Sequence, residues 1–155
     1  MANSWRMAAL AERHRALGSN LEDWNGIPTA WTYSNSGYTL ADDHEAIRTK
    51  AGLMDVSGLK KVHYIGPHAE SLLEWATTRD ISKLYPGKSV YATMLNEAGK
   101  FIDDCVIYRM GPNSFMVVHG TGTGYERLTQ SALGKQVAVL FDDDLQDLSL
   151  QGPVA

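Results

Sequence analysis

NEAGKFIDDCVIY, residues 96–108, begins as a turn and ends as a strand. Asn96-Glu97-Ala98-Gly99 is a turn signal, preceded by Val90, Ala92 and Met94 at every second position and followed by a second alternating run. Together they read as a β-hairpin. In its outgoing strand, residues two apart share a face, which puts Phe101, Asp103, Cys105 and Ile107 on one side and Ile102, Asp104, Val106 and Tyr108 on the other. Each carboxylate therefore stands in an apolar row, and both faces read as buried. An ionised carboxylate withdrawn from water is costly unless paired, so a fold that keeps one there is expected to use it or to solvate it. Aspartates just past a turn also bond nearby backbone amides, and alternation alone leaves open which of the two acids does more than that.

Upstream of the hairpin, Val62 and Tyr64 alternate with Lys61 and His63 in a strand, and Gly66-Pro67 opens a helix whose Leu72, Leu73, Trp75 and Ala76 form one buried stripe. Downstream, Gly111-Pro112-Asn113 turns, 114–119 is a third strand, 125–133 a helix and 136–141 a strand. This order of strand, helix, three antiparallel strands, helix and strand predicts an α+β fold: a ferredoxin-like antiparallel sheet with helices on one face. Before it, 4–17 reads as a helix capped by Ser4, with Trp5, Ala8, Ala9 and Leu10 at helical spacing and Gly18 at its end. Pro28 makes 21–38 extended and irregular, with Trp24 and Trp31 as core anchors, and 42–51 is again a helix, with acids early and Arg48 and Lys50 late. Asp142, Asp143 and Asp144 read as a solvated boundary loop. The chain then runs through a strand at 145–151 to Gly152-Pro153, the start of a helix with nothing to pack on, which predicts a piece of a longer protein.

Composition narrows the function. The 155 residues carry a net charge of -4 and no basic run, which argues against nucleic acid or an acidic membrane surface as partner. No stretch reaches the ~18 apolar residues of a membrane span, and Arg6, Glu12, Arg13 and Arg15 interrupt any signal-peptide core. The single cysteine, Cys105, excludes an internal disulfide, fits a reducing cytoplasm and reads as a packed small residue. Gly120-Thr121-Gly122-Thr123-Gly124 fails both nucleotide fingerprints: Tyr125 stands where the third glycine should be, and no Gly-Lys-Ser/Thr follows. It reads as a glycine-rich helix start. His14, His44, His63, His68 and His119 lack metal-ligand spacing, so no metal site is expected. His119 alone is placed to matter, ending a strand beside the acids and adjoining the glycines.

Four stretches in order, HRALGSNLEDWNGIPTAW (14–31), EAIRTKAGLMDVSGL (45–59), TTRDISKLYPGKSVYATMLNEAGKFIDDCVIY (77–108) and LSLQGPVA (148–155), resemble the aminomethyltransferase folate-binding family, typified by the T-protein of the glycine cleavage system. The resemblance implies a tetrahydrofolate-dependent transfer of a methyl or aminomethyl group from a small donor. It implies Asp104 as the acid/base or folate-orienting residue, with Leu59, His119 and Gly120 also near the folate. It further implies residues 1–51 as the opening of a first, incomplete domain, 52–142 as an inserted second domain, and 143–155 as a strand returning to the first, so that the chain alone should bind folate weakly.

Departures from the family pattern point to a paralogue. Asp55-Val56-Ser57-Gly58-Leu59 stands where the T-protein has Asp-Val-Ser-His-Met, the usual asparagine is replaced around His119-Gly120, and Trp24-Asn25-Gly26 replaces Ala-Gly-Trp. The donor, N-, O- or S-linked, is left open, and a lipoyl carrier protein is a partner only for a true T-protein. The alternative is a non-catalytic folate-binding subunit of a larger oxidase or demethylase assembly.

Overall fold

The computed structural model describes residues 7–120, 122–142 and 144–155, so the expected cap Ser4, with Trp5, Thr121 and Asp143, lies outside the described residues. In chain order the elements are α1 (Ala11–Ala16), β1 (Glu22–Trp24), β2 (Ile27–Thr29), α2 (Leu40–Thr49), β3 (Gly52–Asp55), β4 (Lys60–Ile65), α3 (Ala69–Ala76), β5 (Ser89–Leu95), β6 (Phe101–Gly111), β7 (Ser114–His119), α4 (Gly122–Ala132), β8 (Ala138–Phe141) and β9 (Leu148–Gln151). They divide into two units, Met1–Gly58 with Leu145–Ala155, and Leu59–Asp144. No described helix is long and apolar enough to cross a membrane.

In the first unit, the segment read as irregular contains a hairpin. Asn25 and Gly26 take φ of 54° and 84°, the left-handed pair that joins β1 to β2, with Trp24 opposite Ile27. Trp31 is not the core anchor expected, being 52% exposed; its ring packs 5.7 Å from that of Trp24. α2 begins two residues earlier than read because Thr39 caps it: its hydroxyl accepts from Asp42 N–H, and the Asp42 carboxylate accepts from Thr39 N–H. Gly52 was read as the start of the second domain, but β3 pairs antiparallel with β9 from Gly52 opposite Gln151 to Asp55 opposite Leu148.

A half-buried polar chain ties this unit together. Tyr33 hydroxyl donates to His14 Nδ1 at 2.8 Å, His14 Nε2 donates to Asp55 Oδ2 at 3.1 Å, and Ser57 N–H donates to Asp55 Oδ1 at 3.0 Å. Burial pushes the Asp55 carboxyl up, but the hydrogen bonds from Ser57 and His14 and the attraction of His14 outweigh it and hold it below the ordinary aspartate value. A carboxyl depressed in the folded state stabilises fully above its unfolded value of about 4, and that contribution is lost as pH falls through the folded value. The melting temperature followed by circular dichroism should therefore drop on acidification below about pH 4, and Asp55→Asn should flatten that acid limb.

The second unit is one five-stranded sheet in the order β5-β6-β7-β4-β8, every neighbouring pair antiparallel. Alternation sends Val62 and Tyr64, Ala92 and Met94, Cys105 and Ile107, and Phe115 and Val117 into one core against Ala69, Leu72, Leu73 and Ala76 of α3 and Leu128 of α4. This is the expected α+β layer with helices on one face. Trp75 leaves the stripe: it is 64% exposed, with the Arg127 guanidinium 4.8 Å above its ring.

Candidate functional site

The two acids of β6 are separated by the sheet they share. Asp103 points to the helix side, 1% exposed, where its Oδ2 accepts from Nδ1 of the equally buried His119 at 3.0 Å and its Oδ1 accepts from Asp104 N–H at 3.0 Å. His119 stacks on Tyr125, rings 8° from parallel with centroids 6.4 Å apart. The glycine-rich segment closes over the same carboxylate: a Cβ at Gly124 would run into Asp103, and one at Gly120 would lie 3.6 Å from Asp103 Oδ1. A close backbone approach is thus what these glycines permit, and what they approach is the protein's own acid.

Asp104 takes the opposite face and is half-buried. It lies opposite Thr93 of β5, and its Oδ2 accepts from the Tyr91 hydroxyl at 2.8 Å. That bond to Asp104, with a smaller contribution from burial, holds the Tyr91 hydroxyl above the usual phenol value. Val106 of β6, paired with the buried Val118 of β7, continues that face. Within this unit the core helices lie on the other side of the sheet.

The residues singled out in the sequence meet at one end of the sheet. Lys60 and Cys105 both pair with His119, so Leu59, Asp104 and Gly120, each one residue from a member of that trio, converge there. A Cβ on Gly120 would lie 3.9 Å from Leu59 Cδ2. His119 shares the end of the sheet but not the face of Asp104, being enclosed on the helix side.

A bulge explains a further difference from strict alternation. The register shifts between Met94, opposite Asp103, and Leu95, opposite Phe101, so one extra residue sits just ahead of the acids. Ile102, read on the face of Asp104, packs instead against the helix-side core, and Phe101 is exposed. Tyr91 was missed, although its position two residues before Thr93 on the hairpin's incoming strand puts it within reach of the acid.

Other candidates resolve as packing. Cys105 is buried, and burial with the charges of Asp103 and Asp104 pushes its thiol up to about 12, which leaves no thiolate for chemistry near neutral pH. In the acidic run, Asp142 Oδ2 lies 3.1 Å from His63 Nε2, and no cluster of three metal-ligating side chains occurs among the described residues. At Gly58, where the related motif carries an imidazole, a Cβ would fall 2.5 Å from the Trp24 ring, so the indole fills that space. Gly58→Ala should cost about 1–3 kcal/mol, the usual penalty of forcing an atom into a packed core, read as a lower denaturation midpoint.

Residues 10–155 match the GCVT N-terminal domain. The chain is 77% identical over its full length to a heme-dependent oxidative N-demethylase gamma subunit from Ectopseudomonas mendocina, of which it covers 40%. It is 35% identical, over 97% of its length and 40% of the relative's, to an aminomethyltransferase from Rubrobacter xylanophilus. The crystal structure of glycine cleavage system aminomethyltransferase T from Bartonella henselae superimposes with a TM-score of 0.82 at 29% identity, covering 96% of this chain and 41% of that one. The chain thus spans about two fifths of the length of these relatives. With the family match running over residues 10–155 and the fold shared with that aminomethyltransferase, this chain belongs to the GCVT N-terminal domain family.

Proposed function

We propose that this chain contributes the folate-side surface of a one-carbon transfer subunit in an oxidative N-demethylase assembly, with Asp104 as its acid/base or folate-orienting residue and the cytoplasm as its compartment. The observation that carries this reading is the division between two adjacent acids. Asp103 is engaged on the helix side by His119 and a backbone amide, whereas Asp104 faces away from the helices with Oδ2 held by Tyr91 and Oδ1 without a donor among the described residues. The 77% identity to a demethylase gamma subunit supports the assembly, and the aminomethyltransferase relatives support the class of chemistry.

The residues fit a folate. A flat heterocycle with N–H groups at its edge suits an apolar floor with one well-placed acceptor, and Val106, two residues along β6 on the face of the Asp104 carboxylate, offers that floor beside it. Bound tetrahydrofolate would supply the nitrogen that takes up the carbon. Tyr91 fixes the rotamer of Asp104 through Oδ2, leaving Oδ1 as the atom that accepts and returns a proton. In such an assembly haem would supply the two-electron oxidation that brings an N-methyl carbon to the formaldehyde level, with an external oxidant taking the electrons, and this chain would hold the folate that takes up that carbon. Incubating the complete assembly with tetrahydrofolate and N-methyl donors, or with glycine cleavage substrates, tests the setting. Product from N-methyl donors is expected, and a response to glycine cleavage alone would exclude the demethylase role.

A second reading, a folate-binding subunit without catalysis, is favoured by one observation: the Trp24 indole occupies the space beside Gly58, where the related motif carries its imidazole. The two readings part on turnover after substitution of Asp104.

A further inference from the structure

The fold gathers at the edge strand β5 a charge that no run in the sequence displays. Arg79, Lys83 and Lys88 line a cleft of about 400 Å³ together with Asp80, Tyr85 and Ser89. One of the three cations is met by an acid: Lys83 Nζ lies 2.7 Å from Asp80 Oδ2, a hydrogen bond that, with one from Ser82, holds the Asp80 carboxyl below the usual range. Lys88 stands 5.6 Å over the Tyr85 ring, and Arg79 uses Nε on the Tyr91 carbonyl at 2.9 Å. Neither is ion-paired among the described residues. The cleft therefore carries surplus positive charge in a chain whose net charge is -4.

Tyr91 joins this cleft to the candidate site. Its carbonyl accepts from Arg79 while its hydroxyl donates to Asp104. From Thr93, opposite Asp104, to Ser89 at the lip of the cleft, the strand advances roughly 13 Å. That separation suits a molecule with a flat heterocycle at one end, a benzoyl ring between and carboxylates at the other.

Resting on the folate reading above, we propose that the Arg79–Lys83–Lys88 cleft holds the anionic glutamyl tail of the folate. Each additional glutamate adds a carboxylate, and exposed cations attract such a tail through interactions that are individually modest and screened by salt. Affinity should then grow with tail length and lose that growth as ionic strength rises.

Calorimetric titration of the complete protein with mono- and pentaglutamyl tetrahydrofolate tests this. The pentaglutamyl form is expected to bind about three- to tenfold more tightly at low salt, the sum of two or three exposed ion pairs. The gain should shrink to less than about twofold in Lys83→Ala/Lys88→Ala, and likewise for the unaltered protein at about 0.5 M salt, where charges a few ångströms apart are already screened. Both lysines are exposed, and the salt series needs no variant at all. Equal affinity for the two tail lengths, or a gain that survives both the double substitution and salt, overturns the proposal. Failure of either form to bind removes the folate reading with it, which tells the two failures apart.

Discussion

Asp104→Asn is expected to lower turnover of the complete assembly by about 10²-fold or more while leaving the melting temperature within a degree or two, the range for loss of a general acid/base from an intact site. The amide has the size of the carboxylate and can still accept the Tyr91 hydroxyl at 2.8 Å through its carbonyl oxygen, so the rotamer and the hairpin survive. What it cannot do is take up a proton at the other atom. The measurement is steady-state formation of one-carbon folate from an N-methyl donor, with folate binding followed separately. Lost turnover with retained binding identifies an acid/base; lost binding with proportionate turnover identifies an orienting residue. Turnover equal to the unaltered protein leaves Asp104 outside the mechanism and returns the chain to the role of a folate-binding module.

The neighbouring acid should behave in the opposite way. Asp103→Ala is expected to destabilise the protein by about 3 kcal/mol, in the range for removing one partner of a buried polar pair, because His119 Nδ1 and the Asp104 N–H lose their acceptor together. In a chain of this length that is a fall in melting temperature of roughly 10 °C, measurable by calorimetry. Asp103→Asn keeps an oxygen for one of those donors and should recover part of the loss. A melting temperature unchanged in Asp103→Ala would mean that the pair does not hold β6 to β7.

These two substitutions lie one residue apart, and that is why the sequence could show the pair but not apportion it. Period-two alternation places Asp103 and Asp104 on opposite faces; it carries no information about which face the helices cover. The hairpin, the shared face of Asp103, Cys105 and Ile107 and the limits of β7 were legible because turn residues and alternating bulk coincide there. The bulge beside Leu95 was not, since a single extra residue leaves no mark in composition, and it moved Ile102 and Phe101. Trp75 followed helical spacing yet lies outside the core, where a guanidinium covers its ring instead. The hairpin at Asn25-Gly26 was readable in principle: the dipeptide is the strongest short signal for a two-residue turn, but its strands are three residues each, too short for alternation to register. The direction of His119 depended on a carboxylate sixteen residues away in the chain.

The pairing of β3 with β9 means that the chain departs from the first unit and rejoins it at neighbouring points, since Asp55 lies opposite Leu148 and Val56 N–H reaches the Asp147 carbonyl at 2.9 Å. To the first unit, everything from residue 59 to 144 is topologically a loop, and the entropy of closing a loop grows only with the logarithm of its length. An entire sheet with its two helices could therefore be acquired, exchanged or enlarged at this junction by recombination, at little more thermodynamic expense than lengthening a turn.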